Sequence, residues 1–104
     1  MIKAKKFDGV IEAVHYTLNG KIDWVRGYQR RGFVFSDMLI LDRQTLLTHL
    51  EGGDRIYIGQ RQALMGNDFA LGEVVRVEKQ KVGEKIVAGK AQGDGDFLAD
   101  TPVF

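Results

Sequence analysis

Two short runs carry the side chains best suited to chemistry: Arg26-x-Tyr28-x-Arg30, and Arg55-x-Tyr57-x-x-x-Arg61. If each run is a strand, its arginines and tyrosine point to one side, because side chains alternate with a period of two. A tyrosine ring is a stacking surface for a base, and an arginine supplies a phosphate contact and a second flat surface. With Arg31 and Phe33, these residues compose a platform for single-stranded nucleic acid, provided that both strands show the same face of one sheet. The plain alternative is a sheet face covered by tyrosines, with its arginines paired across strands to Glu12, Glu73 or Glu78. The spacing alone leaves both open.

Catalytic chemistry finds less support. There is no cysteine, and the one serine, Ser36, lies outside any G-x-S-x-G elbow. His15 and His49 lack metal-ligand spacing, and His49 suits the negative end of a helix better than a metal. Gly93-Asp94-Gly95-Asp96 has the oxygen ligands of a calcium loop without the longer acidic run or closing glutamate of an EF-hand, and reads as a solvated loop. Gly27 and Gly32 do not compose a dinucleotide-binding loop. No catalytic residue, metal ligand or cofactor is therefore expected. An enzyme built from dispersed carboxylates with His15 or His49 is the less favoured reading.

These side chains need a frame. A chain of 104 residues with 44% hydrophobic and 28% charged residues is long enough for one hydrophobic core. Fifteen basic residues against 14 acidic give a net charge of +1, so any nucleic-acid site must rest on a local patch and not on bulk charge. The absence of cysteine, of an apolar leader after the N-terminal lysines and of an apolar run of roughly 18 residues predicts a cytoplasmic chain, neither exported nor membrane-embedded.

Asn19-Gly20 between two β-branched and aromatic runs predicts a two-residue hairpin turn. In that register His15 faces Trp24, Ala13 faces Arg26, Val14 faces Val25, Ile11 faces Tyr28 and Tyr16 faces Asp23. Trp24 shares its face with Ile22, which favours the core, and with Arg26, which does not. The next turn is expected at Gln29 to Gly32, leaving Arg30 and Arg31 at an exposed hairpin tip, with a third strand from Phe33 to Phe35. Met38 to Leu41 either prolongs that strand or forms another. Asp42 as N-cap, the leucines Leu46, Leu47 and Leu50, and Gly52-Gly53 predict a helix over residues 43–51. Further strands are expected over Arg55 to Arg61 and Phe69 to Glu78, the latter with Phe69, Leu71, Val75 and Val77 on one face, and a last one through Ile86 and Val87. The division expected is a β-rich domain over 1–88 followed by 89–104. This second part is a Gly/Asp-rich loop or linker and an apolar segment, Phe97 to Phe104, that either returns to the sheet or docks on a partner.

Arg31-Gly32-Phe33-Val34-Phe35 resembles the basic-Gly-aromatic-x-aromatic core of the RNA-contacting motif found in RRM and cold-shock domains, and Gly20 to Val25 is similar to the tryptophan-bearing first strand of a cold-shock domain. The resemblance covers only the stretch from Gly20 to Phe35. It departs from the pattern in its longer gap, in Val34 where a small residue is usual, in an extra strand before Trp24 and in the missing second aromatic motif. It assigns the chain to no family.

The expected architecture is a mainly β, predominantly antiparallel domain of about five to seven strands, a small barrel or half-barrel compatible with an OB-like fold, with one short helix. The expected function is a non-enzymatic binding module with single-stranded RNA or DNA as ligand, carried by Arg26, Tyr28, Arg30, Arg31, Phe33, Arg55, Tyr57 and Arg61. The rival is a protein-interaction or self-assembly domain using sheet edges and the C-terminal segment, its partner another protein or a second copy, with no membrane involved.

Overall fold

The computed structural model describes residues 8–31, 34–35, 38–61, 69–80, 83–89 and 95–104. The chain runs β1 (Gly9–Tyr16), β2 (Ile22–Arg31), β3 (Val34–Phe35), β4 (Leu39–Asp42), α1 (Arg43–Glu51), β5 (Ile56–Arg61), β6 (Phe69–Lys79), β7 (Glu84–Ala88) and β8 (Phe97–Leu98). The strands join in the order β3-β2-β1-β5-β6-β7-β8, with β4 also on β2. The fold is mainly β with a single short helix among the described residues. Five of the pairings are antiparallel, but β1–β5 and β7–β8 are parallel, which the sequence pattern does not announce. The ladder path is open, since no pairing among the described residues carries β8 back to β3.

The first hairpin keeps the expected pairs in its middle and loses them at both ends. Ala13 pairs Arg26, Val14 pairs Val25 and His15 pairs Trp24, whereas Tyr16 pairs Ile22 and Ile11 pairs Gly27. One-residue irregularities on β1 and β2 absorb Glu12 and Asp23, so the expected Ile11–Tyr28 and Tyr16–Asp23 pairs do not form. The turn is also longer than two residues. Gly20 N–H donates to the Thr17 carbonyl at 3.0 Å and Thr17 N–H to the Lys21 carbonyl at 2.7 Å. A two-residue mirror-image turn would need a positive φ at both Asn19 and Gly20, and of the two only Gly20 has one, at 78°.

Beyond the hairpin, Arg30 and Arg31 are not a tip. They lie inside β2, paired with Phe35 and Val34. Phe33 lies outside the described residues. The run after Met38 forms its own strand, β4, on the same edge of β2. A register shift between β5 and β6 places Leu71 opposite Gly59 and Val74 opposite Tyr57, so Leu71 and Val75 do not share a face as plain alternation would have it.

α1 occupies the predicted residues. The Asp42 carboxylate accepts the Thr45 N–H at 2.8 Å, the side-chain cap expected at a helix N-terminus. This bond holds the Asp42 carboxyl below its usual value. At the other end Gly53, at φ 95°, donates to the Leu50 carbonyl and Asp54 N–H to that of His49. These bonds satisfy two carbonyls that the last turn would leave open. Leu46 and Leu47 are buried among Ile11, Val14, Val25, Ile56, Ile58, Val75 and Ile86. This amphipathic helix is too short to persist alone, so its leucines on the sheet hold it in place. No helix among the described residues is long and apolar enough to cross a membrane.

Residues 95–104 are built into the sheet. Gly95 and Asp96 do not belong to a solvated loop: Asp96 has a fully buried carboxylate that accepts from Ile22 N–H (2.7 Å), Ile86 N–H (2.8 Å) and Arg43 Nε (2.8 Å). Arg43 also donates through Nη2 to the Glu84 carbonyl at 2.8 Å. Burial alone would raise the Asp96 carboxyl, but the bonds from Arg43, Ile22 and Ile86 outweigh it and hold it below the ordinary carboxylate range. Phe97 and Leu98 pair with β7, Leu98 N–H donates to the Tyr16 hydroxyl at 3.0 Å, and Val103 bridges Val14 in parallel.

Candidate functional site

β1 is the axis of the site because both of its edges are occupied. Val10 pairs Tyr28 on one side and Tyr57 on the other, and Tyr57 in turn pairs Val74. Residues opposite one another in a ladder project to the same face. Tyr28, Val10, Tyr57 and Val74 therefore compose one row. Ile11, Ile56 and Ile58, their chain neighbours, point the other way into the core beneath α1, so the tyrosine row lies on the outer face. The condition that the spacing could not decide is met: both arginine-tyrosine strands present the same face of one sheet.

The flanking rows extend this face. One side of the tyrosine row is occupied by Asp8, whose carbonyl accepts the Arg30 N–H (2.7 Å) and whose carboxylate accepts the Arg55 N–H (2.8 Å). Alternation along β2 places Arg30 with the tyrosines, and Arg55 immediately precedes β5. Arg26 stands opposite Ala13 and Ile40 on the other side, and beyond it comes Trp24 opposite His15. The Asp23 irregularity separates Ile22 from Trp24: Ile22 is buried in the core, while Trp24 is partly exposed on the outer face. Its ring stacks on His15, with centroids 5.5 Å apart and planes 11° apart, and His15 Nδ1 lies 3.1 Å from Asp23.

Gly27 makes the close packing of this region possible. A Cβ there would overlap the Val10 carbonyl oxygen, so β2 and β1 approach at a distance that only glycine permits between Arg26 and Tyr28.

Arg26, Tyr28, Arg30 and Tyr57 thus share one face, and Arg55 stands just before β5. Arg31 and Arg61 have strand positions, paired with Val34 and Phe69, but their side chains lie outside the described set. Sequence reasoning missed four contributors. Val10 is the buried floor between the tyrosines; Ile40, 66% exposed, and Val74, 40% exposed, add apolar surface; and Phe104 places its ring over Arg26, 4.6 Å from the guanidinium carbon. Arg26 Nε is buried there with no hydrogen-bond partner among the described residues. Beside it lies an open depression of about 200 Å³, bordered by Glu12, Gln60, Pro102 and Phe104. The one signal for Phe104 was the apolar character of residues 97–104.

His49 Nδ1 lies 2.7 Å from Asp54 and His15 pairs with Asp23, two separate His–Asp contacts. The pocket that His49 helps to line holds about 30 Å³, room for about one water molecule. Among the described residues, no group of three or more His, Cys, Asp or Glu side chains is placed to hold a metal ion. Of the glutamates expected to pair with arginines across strands, Glu78 instead meets Arg76 of its own strand, at 3.0 Å. No protein-family model, curated protein or solved structure matches this chain.

Proposed function

We propose that this protein is a non-enzymatic binding module whose outer sheet face takes single-stranded nucleic acid. The observation that carries the reading is the row Tyr28-Val10-Tyr57, with Arg30 on one side of it and Arg26 on the other. Two interstrand spacings separate the tyrosine backbones by about 9.5 Å, a span over which a flexible strand can lay successive bases. In this reading Tyr28 and Tyr57 stack on bases, Trp24 extends the aromatic path, and Arg26, Arg30 and Arg55 meet phosphates.

The test is fluorescence anisotropy with labelled single-stranded RNA and DNA oligonucleotides at about 50 mM and about 200 mM salt, a range over which several phosphate contacts should lower affinity by an order of magnitude or more. The Tyr28→Ala/Tyr57→Ala double variant, confirmed folded by circular dichroism, should lose about 1–3 kcal/mol for each base no longer stacked. Absence of binding at the lower salt would reject the reading.

A second reading rests on Ile40, Val74 and Phe104, large apolar side chains exposed on the same face. Such a patch suits a protein partner or a second copy of the chain. Concentration-dependent association in sedimentation, abolished by Ile40→Asp, would favour it.

A further inference from the structure

We infer that Pro102–Phe104 is a displaceable strap that covers Arg26 and regulates access to the outer face. The inference rests on the nucleic-acid reading for its ligand, but its mechanics are intrinsic to the chain.

The strap occupies a gap in the sheet. β5 accompanies β1 only from Gly9 to Ile11, and the Glu12 irregularity then leaves the rest of that edge to Pro102–Phe104. Two backbone bonds hold it there: Val14 N–H to the Pro102 carbonyl, and Phe104 N–H to the Val14 carbonyl, both 2.9 Å. Its base is firm, since Ala99 N–H donates to the Ala88 carbonyl and Thr101 is buried. From Pro102 onward it is exposed, Val103 to 63% and Phe104 to 59%. A segment fixed at its base and tied by two peripheral bonds opens at lower cost than the ladders beneath it.

The closed strap also carries an internal opposition. Phe104 gains a cation–π contact with Arg26, yet Nε of the same guanidinium is buried with no acceptor among the described residues. A buried donor without a partner disfavours the state that buries it. Swinging Phe104 away exposes Nε–H to water or to a phosphate oxygen, and a phosphate provides the charge-assisted bond that the closed form lacks. A phosphodiester strand laid along Tyr28 and Tyr57 thus competes with Phe104 for one guanidinium. Ligand binding and strap closure are mutually exclusive at Arg26, and each weakens the other.

Two measurements test this. In the first, anisotropy with a fluorescein-labelled 12-mer of uridylate compares the full chain with Phe104→Ala and Phe104→Leu. The strap predicts about 3- to 10-fold tighter binding for Phe104→Ala and a smaller gain for Phe104→Leu. Equal or weaker binding by Phe104→Ala would overturn it, making Phe104 a bystander or a stacking contributor. In the second, amide hydrogen exchange on the wild-type protein follows Val14 and Phe104. Their amides should exchange at least about 100-fold faster than the β1–β2 ladder amides, and faster still with the 12-mer added. Exchange as slow as that of the ladder would overturn the strap whether or not the oligonucleotide binds. Fast exchange with no oligonucleotide binding would sustain the strap's mechanics and reject the nucleic-acid reading, leaving the gating of RNA or DNA overturned.

Discussion

Arg43 and Arg26 are both drawn partly out of water, and their guanidinium groups meet different surroundings. Arg43 reaches Asp96 through Nε at 2.8 Å and Nη2 at 3.2 Å, and Glu84 through its carbonyl, while Asp96 accepts two further N–H groups from β2 and β7. The buried carboxylate at that junction is fully engaged. Arg26, by contrast, lies beneath an aromatic ring with Nε buried and unmatched among the described residues. Where polar groups are mutually satisfied, they fix one arrangement and leave little for a ligand to gain. Where one is left wanting, a ligand that completes the set can shift the structure.

Removing each arginine in turn should have unequal effects. Arg43→Leu leaves the Asp96 carboxylate buried without its cation, and urea unfolding should show a loss of about 3–5 kcal/mol. The Arg43→Leu/Asp96→Leu double variant should recover part of that loss, because no charge is then left stranded. The same clamp predicts an acid limb. The Asp96 carboxyl is held below its unfolded value, so its contribution is complete above about pH 4 and is lost as pH falls through the lower folded value. Unfolding measured from about pH 6 down to about pH 2 should show this limb in the wild type, diminished in Asp96→Asn. On the outer face, Gly27→Ala forces β2 away from the Val10 carbonyl and should cost about 1–3 kcal/mol in thermal unfolding. Arg26→Leu should have the smallest effect, within about 1 kcal/mol of wild type, since the cation–π contact it loses is offset by removing an unmatched donor. A loss for Arg26→Leu as large as that for Arg43→Leu would erase the distinction.

What could be read before the fold was known follows the range of the forces involved. Asp42, the leucine spacing and Gly52-Gly53 act within a few residues of one another, and α1 forms where they indicate. The three central pairs of the β1–β2 hairpin were legible for the same reason. Glu12 and Asp23 were not recognisable as irregularities, because a bulge answers to the strands on either side and leaves no trace in alternation. Composition misled at Gly95 and Asp96: small and acidic residues suggest solvation, whereas this carboxylate finds its partners on β2, β7 and α1. The common face of Tyr28 and Tyr57 depended on the parallel β1–β5 pairing, which no turn residue announces.

The two parallel neighbours of β1 also constrain how the molecule is made. Gly9–Ile11 must wait for Ile56–Ile58, and Val14 for Val103, almost the full length of the described chain away. Until those partners are synthesised, one edge of β1 offers unpaired N–H and C=O groups to any strand in solution. Folding is accordingly expected to be slow for a chain of this size, governed by contacts distant in sequence. The strand that organises the finished sheet is thus open to mispairing in the nascent chain.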